Sequence, residues 1–351
     1  MKRKIVIAMS GGVDSSVVAA LLARQGHEVV GVTMRLWGDD GDSASAVESA
    51  RESCRLLGIT HKVLDVRETF RKEVIDYFLD EYAAGLTPNP CVRCNEQIKF
   101  GILLRFMDLV HGERLATGHY ARVLLDGRTG RYVLSRSADR NKDQSYFLYR
   151  LDQKRLSHSI FPLGDMTKEE VRETARRLGL PSADRADSQE VCFIPDNDCR
   201  GFVEDERPDA VKEGDFVDMK GFSLGKHRGV AFYTVGQRKG LGVSSPLGRR
   251  YVIDRDPDTN VITLGDESDL MKGGCTVGML NWIAVDRLDG PTNADVVLRY
   301  RAKPVSAVLE QEGGIVRVAF KRPDPGVSPG QSAVFYHGDV VLGGGVMLRG
   351  E

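Results

Sequence analysis

Lys4–Met9 is a short, almost wholly apolar run, and it breaks at once into Ser10-Gly11-Gly12-Val13-Asp14-Ser15-Ser16. Such a run suits a central parallel strand, covered on both faces. Ser15–Gln25 then reads as a helix closed by Gly26. Glycines at a strand-to-helix turn let the backbone bend tightly and approach a ligand. The N–H groups and the helix N-terminus supply partial positive charge. That combination is an anion hole suited to phosphate. The Lys-Ser/Thr ending of a Walker A loop is missing, and the short form suits a loop that grips pyrophosphate as a leaving group, with ATP cut to AMP. Asp14 cannot hold phosphate through its own charge, so its role is expected through Mg²⁺ or loop geometry. A glycine-rich turn without a ligand is the plain alternative.

The pattern repeats. Val29–Leu36, His61–Asp65 and Arg114–Ala116 read as strands. Ala44–Leu57 (with Ser43 as N-cap and Gly58 beyond), Glu68–Ala84, Gln97–Phe106 and Lys168–Leu178 read as helices, the last opened by a Thr167/Glu170 capping box. The alternation predicts an α/β fold with a doubly wound, mainly parallel sheet and its ligand at the carboxyl ends of the strands. Past about Gly201 the texture changes to short β-rich runs between Gly, Pro and Asp turns: Phe216–Asp218, Tyr251–Ile253, Val261–Leu264, Ala294–Tyr300, Val305–Leu309, Ile315–Phe320, Ser332–Tyr336 and Val340–Leu342. The expected division is a catalytic domain at 1–205, a small central β domain at 206–271 and a C-terminal β-barrel at 272–351. Truncation after about Gly201 is expected to leave a nucleotide-binding fold.

Composition narrows the classes. The 351 residues, 41% hydrophobic and 28% charged, suit a soluble globular chain of two or three domains. The basic start at Met1–Lys4 precedes too short an apolar run for a signal peptide, and no stretch approaches the roughly 20 apolar residues of a membrane span. A cytoplasmic protein with no membrane partner is expected, and its six cysteines read as thiols rather than a disulfide framework. The net charge of −1 points to no nucleic acid globally. Locally, Lys220, Lys226, Arg228, Arg238, Lys239, Arg249, Arg250 and Arg255 face a single acid, Asp254, within their span. Interleaved glycines and aromatics there favour an RNA-backbone surface over plain solvated charge.

Cys91 and Cys94 follow Pro88-Asn89-Pro90 at the expected start of a helix, where the N-terminus lowers a thiol's pKa. Cys192 stands far downstream. A structural zinc site would want a fourth ligand. A thioredoxin-like pair would leave the phosphate loop unexplained. Sulfur transfer uses both halves, with ATP activating an acceptor and cysteine delivering sulfur. Cys54, Cys199 and Cys275 read as buried or incidental thiols.

Ser10–Ser15 after the first strand resembles the N-type ATP pyrophosphatase (PP-loop) superfamily, with its adenine-nucleotide alpha-hydrolase-like sheet. The landmarks Thr87–Asn95, Ala116–Arg122, Lys142–Phe147, Ser188–Ile194, Tyr233–Gly242 and Ser328–Gln331 resemble one branch, the tRNA-specific 2-thiouridylases of the MnmA type. Together with the loop, these six in order run from the first strand to the last. The resemblance implies adenylation of the wobble uridine C2 carbonyl of tRNA and sulfur transfer from a cysteine persulfide. ATP and Mg²⁺ would be used. The partners would be a tRNA anticodon stem-loop and a sulfur donor such as a cysteine desulfurase or sulfur relay. Ala8, Met9, Ser10, Gly11, Gly12, Val13, Asp14, Ser15, Met34 and Gly118 would bind ATP. Cys192 would carry the persulfide, with Cys94 as its partner thiol. Asn89, Pro90, Cys91, His119, Lys142, Asp143, Gln144, Arg299, Tyr300 and Gln331 would meet tRNA. One familiar form of the motif has Asp where Cys91 stands, so that carboxylate's role does not carry over. Cys91, Cys94 and Cys192 would also suit an iron–sulfur cluster with one open iron. The rival readings are another PP-loop ligase or amidotransferase acting on a small molecule, and a non-enzymatic RNA-binding protein.

Overall fold

Ile5, Val6 and Ile7 are buried at 2% exposure or less, as befits a strand with neighbours on both edges and layers on both faces. In a computed structural model of the protein, residues 2–38, 41–185, 191–194, 196, 198–243 and 249–350 are described. β1 (Lys4–Ala8) lies between β2 (Glu28–Arg35) and β4 (Arg114–Ala116). With β3 (Thr60–Asp65) and β7 (Ser159–Ile160) they form a parallel sheet in the order β3-β2-β1-β4-β7. The chain passes from β1 to β2 on one side and reaches β4 on the other. Such a switch opens a crevice at the strands' carboxyl ends, where Ser10–Asp14 and Thr117–His119 lie.

The first helix runs Val13–Arg24, and Gly26 stops it in the left-handed region at φ 81°. The second begins at Gly41, so Ser43 lies inside it rather than capping it. Two expected helices are locally wider-wound than their pattern suggests, and the second is also longer. Arg67–Ala83 contains a π-helical stretch at Arg71–Asp76. The helix expected at Gln97–Phe106 starts at Pro90 and runs to Leu109, with a π-helical stretch at Asn95–Lys99 directly after Cys94. π-helical turns concentrate at functional sites.

The hairpin β5 (Ala121–Leu125) and β6 (Tyr132–Arg136) had no clear sequence signal. β8 (Gly214–Asp218), β9 (Ser223–His227), β10 (Tyr251–Asp256) and β11 (Val261–Gly265) form a small sheet in the order β10-β11-β8-β9. Six antiparallel strands then close a barrel: β12 (Lys272–Trp282), β13 (Thr292–Val297), β14 (Val305–Glu312), β15 (Ile315–Asp324), β16 (Ser332–His337) and β17 (Val340–Met347). β12 was not anticipated, because three glycines dilute its β signal. The tight packing explains one of them: a Cβ on Gly274 would sit 2.2 Å from the Val318 carbonyl oxygen. Among the described residues no helix is long and apolar enough to cross a membrane.

The three regions share cores, against the expectation of a separable nucleotide-binding half. Phe70, Phe78, Cys94 and Phe193 pack in one apolar cluster with Phe216, Val252, Ile262 and Leu264 of the small sheet. Tyr146 and Tyr149 pack in another with Val297, Val334 and Val341 of the barrel. All three regions meet at Thr87. Its N–H donates to the Pro329 carbonyl (2.8 Å), and its hydroxyl meets Ser328 Oγ at 3.1 Å and Arg255 Nη2 at 2.7 Å. Arg255 is 1% exposed and also donates to the Tyr233 carbonyl, so it is a strut rather than part of a basic surface. Burial lowers it to about 10, still charged at neutral pH.

Candidate active site

The loop after β1 ties two of its own amides, Ser10 N–H donating to Ser15 Oγ (3.2 Å) and Gly12 N–H to Ser10 Oγ (3.4 Å), and leaves the helix end beyond them without a side-chain cap. Gly12 is the N-cap of helix Val13–Arg24 and offers no side-chain cap, so that end's orphan N–H groups are not satisfied by a capping side chain. Ser15 Oγ and Ser16 Oγ donate to the Gly12 carbonyl (3.1 and 3.0 Å), while Ser49 Oγ donates to the Gly11 carbonyl at 2.9 Å. Four groups are thereby tied down as acceptors or donors within the turn, and Ser10 remains exposed at its tip. Gly11 takes φ 73°, and a Cβ there would lie 2.4 Å from the Ala46 carbonyl oxygen. Met9 N–H donates to the Val32 carbonyl, extending the sheet up to the loop, with Ala8 and Val13 flanking it. Gly118, after β4, abuts the loop so closely that a Cβ would lie 3.0 Å from Ser15 N. Met34, at the end of β2, is half-buried against the two clusters that hold Phe100 and Cys94.

Asp14 is not an open metal ligand. Lys168 Nζ lies 2.7 and 2.8 Å from its two oxygens, and the Tyr120 hydroxyl donates at 2.8 Å. The ammonium thus meets both carboxylate oxygens and the hydroxyl takes a second place on Oδ1. Neither partner was singled out in sequence, because the ammonium reaches the loop from 154 residues away.

Beyond Gly118, His119 is buried between Phe100 and Phe161 (ring centroids 5.9 and 6.0 Å) with Nδ1 2.7 Å from Thr117 Oγ1. Burial, aided by the Lys99 charge, holds its pKa well below the usual range, so the ring is neutral. Lys99 also acts on Cys91, Cys94 and Cys192. Among the described residues its side chain has no hydrogen-bond or ion-pair partner, whereas nearby Arg93 and Arg150 are occupied by Glu73 and Glu96. The Lys99 charge favours the neutral histidine and opposes the rise of all three thiols.

Those thiols come together from two segments. Asn89 Oδ1 caps the helix by accepting from Val92 N–H (3.3 Å), with Pro90 in the first turn. Cys91 is exposed and Cys94 buried. Cys192 is exposed and anchored by Phe193, whose ring meets Phe70, Phe78 and Phe202 within 5.8 Å. Ser188, Gln189 and Glu190 of the same motif lie outside the described residues. The expected lowering of the thiol pKa is overturned. Burial pushes Cys94 up to about 12; Cys91 and Cys192 reach solvent, but protein packed around their sulfurs desolvates them too, raising Cys91 and lifting Cys192 to about 11 against the opposing pull of Lys99. Desolvation outweighs the helix N-terminus here. The sulfurs also raise one another, which places them close enough to feel each other's charge. Yet among the described residues no three His, Cys, Asp or Glu side chains form a group able to hold a metal ion, so the iron–sulfur expectation finds no ligand set there. Cys54 is buried and Cys275 and Cys199 half-buried, and all six cysteines are free thiols.

The expected RNA contacts divide. Asp143 turns inward, accepting from Ser137 N–H (3.0 Å) and Ser145 Oγ (2.8 Å), and Gln144 Oε1 accepts from Tyr120 N–H at 3.0 Å. Their oxygens brace the loop, leaving Lys142 half-exposed beside them. Tyr300 packs on Phe147 at 4.3 Å, Arg299 is exposed, and Gln331 sits in the turn that touches Thr87. The eight-charge patch shrinks. Lys226 pairs with Asp215, Arg228 with Glu204 and Arg250 with Asp266, while Arg255 is buried. Lys220, Arg238, Lys239 and Arg249 remain exposed without an ion pair among the described residues. A count along the chain had missed acids brought in from neighbouring segments.

Three family models tile the chain: a tRNA methyl transferase HUP domain over residues 3–196, a tRNA methyl transferase PRC-barrel domain over 200–266 and an aminomethyltransferase beta-barrel domain over 272–347. A tRNA-specific 2-thiouridylase MnmA from Heliobacterium modesticaldum is 48% identical, covering 99% of this chain and 93% of its own. The proteins of that name from Carboxydothermus hydrogenoformans and Clostridioides difficile are 46% and 44% identical, covering 99% of this chain and 98% and 99% of their own. An NMN synthetase structure from Francisella tularensis aligns with 53% of this chain and 67% of its own at TM-score 0.35 and 16% identity. With full-length identity at that level and the phosphate loop and thiols in place, the chain belongs to the tRNA-specific 2-thiouridylase MnmA family.

Proposed function

We propose that this chain is an ATP-dependent tRNA 2-thiouridylase. The observation that carries the reading is one chain that joins an uncapped phosphate-type loop at Gly12 to an exposed Cys192 and a buried Cys94. Activation and sulfur delivery then share one crevice. The uridine C2 oxygen attacks the α-phosphate of ATP, and pyrophosphate leaves toward the loop amides. A carbonyl oxygen, a hopeless leaving group, becomes AMP. The terminal sulfur of a Cys192 persulfide attacks C2 and AMP departs. Cys94 thiolate then attacks Cys192 Sγ, releasing 2-thiouridine and leaving a Cys94–Cys192 disulfide that an external thiol reductant must reset. The accessible Cys192 suits loading by a sulfur-donor protein, and the buried Cys94 suits a resolving thiol. The exposed cations Arg238, Lys239, Arg249 and Arg299 suit the tRNA backbone, and a single-stranded loop base can be splayed into the crevice. Methyl transfer, which two of the family descriptions name, would leave the phosphate loop without a use.

The deciding experiment supplies ATP, tRNA and a sulfide source and follows pyrophosphate and the tRNA nucleosides together. tRNA-dependent pyrophosphate release with 2-thiouridine in the digest is expected. Pyrophosphate release indifferent to tRNA, with a small molecule adenylated instead, would replace this reading with the ligase one.

A further inference from the structure

The Ser10–Ser15 loop has amides for an oxyanion but no cation of its own, and Asp14 in its first helical turn adds a negative charge. The missing cation arrives from another helix. Lys168 is the first residue of Lys168–Arg177, and its ammonium lies 2.7 and 2.8 Å from the Asp14 oxygens. It stands 5.9 Å from the Tyr120 ring centroid, and Tyr120 holds the same carboxylate. The lysine side chain is 11% exposed and Asp14 31%, so the pair is walled in on the lysine side and opens on the carboxylate side.

A tether between helices is the plain use for such a pair, but this helix is already fixed without it. Its N-terminus is closed by the Thr167/Glu170 capping box. Lys168 N–H donates to Asp139 Oδ2 at 3.0 Å, and Val171, Thr174 and Ala175 are buried. An ammonium bound to a carboxylate at the uncapped end of a neighbouring helix is a cation held in store for an anion. The carboxylate keeps the site neutral while it is empty and aims the ammonium at the loop.

We propose that Lys168 is the phosphate-binding cation that the loop lacks, shared between Asp14 and the β,γ-phosphates of ATP and then holding the departing pyrophosphate. The inference rests on the reading that the loop takes ATP. When the polyphosphate arrives, the ammonium keeps three N–H donors to divide between Asp14 and phosphate oxygens. No proton need move.

The test measures the affinity of the full-length protein for ATP, inorganic pyrophosphate and adenosine by calorimetry, for the wild type, Lys168→Met and Lys168→Arg. Lys168→Met is expected to weaken ATP and pyrophosphate by roughly 10- to 100-fold, the size of one charge-assisted hydrogen bond. Adenosine should stay within about threefold and Lys168→Arg should recover most of the loss. Equal weakening of adenosine and ATP would make Lys168 a structural tether and overturn the proposal, as would unchanged ATP affinity in Lys168→Met. Failure of the wild type to bind ATP would instead sink the loop assignment itself. Thermal melts guard against misfolding in the lysine variants: both should melt within a few degrees of the wild type, and a loss of pyrophosphate affinity that tracks a lowered melting temperature would also overturn the proposal.

Discussion

Cys192 reaches solvent and Cys94 does not, which is the asymmetry a relay between a donor and a resolving thiol requires. Cys192→Ser should therefore still adenylate tRNA without thiolating it. Cys94→Ser should accumulate a persulfide on Cys192 and stall. Mass spectrometry of the labelled persulfide checks both, and a label confined to Cys199 or Cys275 would refute the division. The pH dependence follows from the raised thiols. Because protein packed around its sulfur lifts Cys192 to about 11, although the residue reaches solvent, its thiolate is scarcer at neutral pH than that of free cysteine. Alkylation of Cys192 should climb about tenfold per pH unit from 7 to 10 without levelling, and a plateau below pH 9 would contradict the assignment. Lys99→Met removes the one opposing charge, so its profile should lie at higher pH still, and Lys99→Arg should restore it. The phosphate loop was legible because glycines, strand and helix are contiguous. Lys99 and Lys168 were not, since a lysine in a helical pattern reads as surface until the fold shows what it faces.

At the scale of elements, the turn after β1 makes a sharp contrast between adjacent glycines. Gly11→Ala forces a left-handed φ and drives a methyl into the Ala46 carbonyl, whereas Gly12 has φ −88° and only Ser10 Oγ at 3.4 Å. Gly11→Ala should cost about 1–3 kcal/mol by strain alone and ATP affinity besides, while Gly12→Ala should stay within about 0.5 kcal/mol. Thermal melts with and without ATP decide it; equal losses would show that the turn relaxes freely. Elements with a strong local signal, such as the apolar run of β1 and the capped helix at Lys168, were readable in advance. β12 was not, because barrel closure demanded glycine where propensity wants β-branched residues. The π-helical stretch after Cys94 likewise left no mark, since one extra residue in a turn is invisible to a helical period.

For the whole molecule, the shared cores decide what can be cut. A chain ending near Gly201 would lose Phe216, Val252, Ile262 and Leu264, the apolar partners of Phe70, Phe78 and Phe193. Such a fragment should aggregate or bind hydrophobic dyes; a soluble one with native near-ultraviolet dichroism and ATP affinity would refute this. The change of texture past Gly201 was readable from turn residues, but the fusion of the cores was not, because it depends on which faces meet. The hub at Thr87 also bears on how the protein is made. Thr87 leaves the ribosome 168 residues ahead of Arg255 and 241 ahead of Ser328, its two hydroxyl partners. The cysteine helix three residues on is thus born without its anchorage, and contacts so distant in sequence form late. A nascent chain holds the activating loop early but gains its seated thiols only when synthesis is nearly finished. A product cut short before Arg255 and Ser328 therefore carries an unbraced sulfur site.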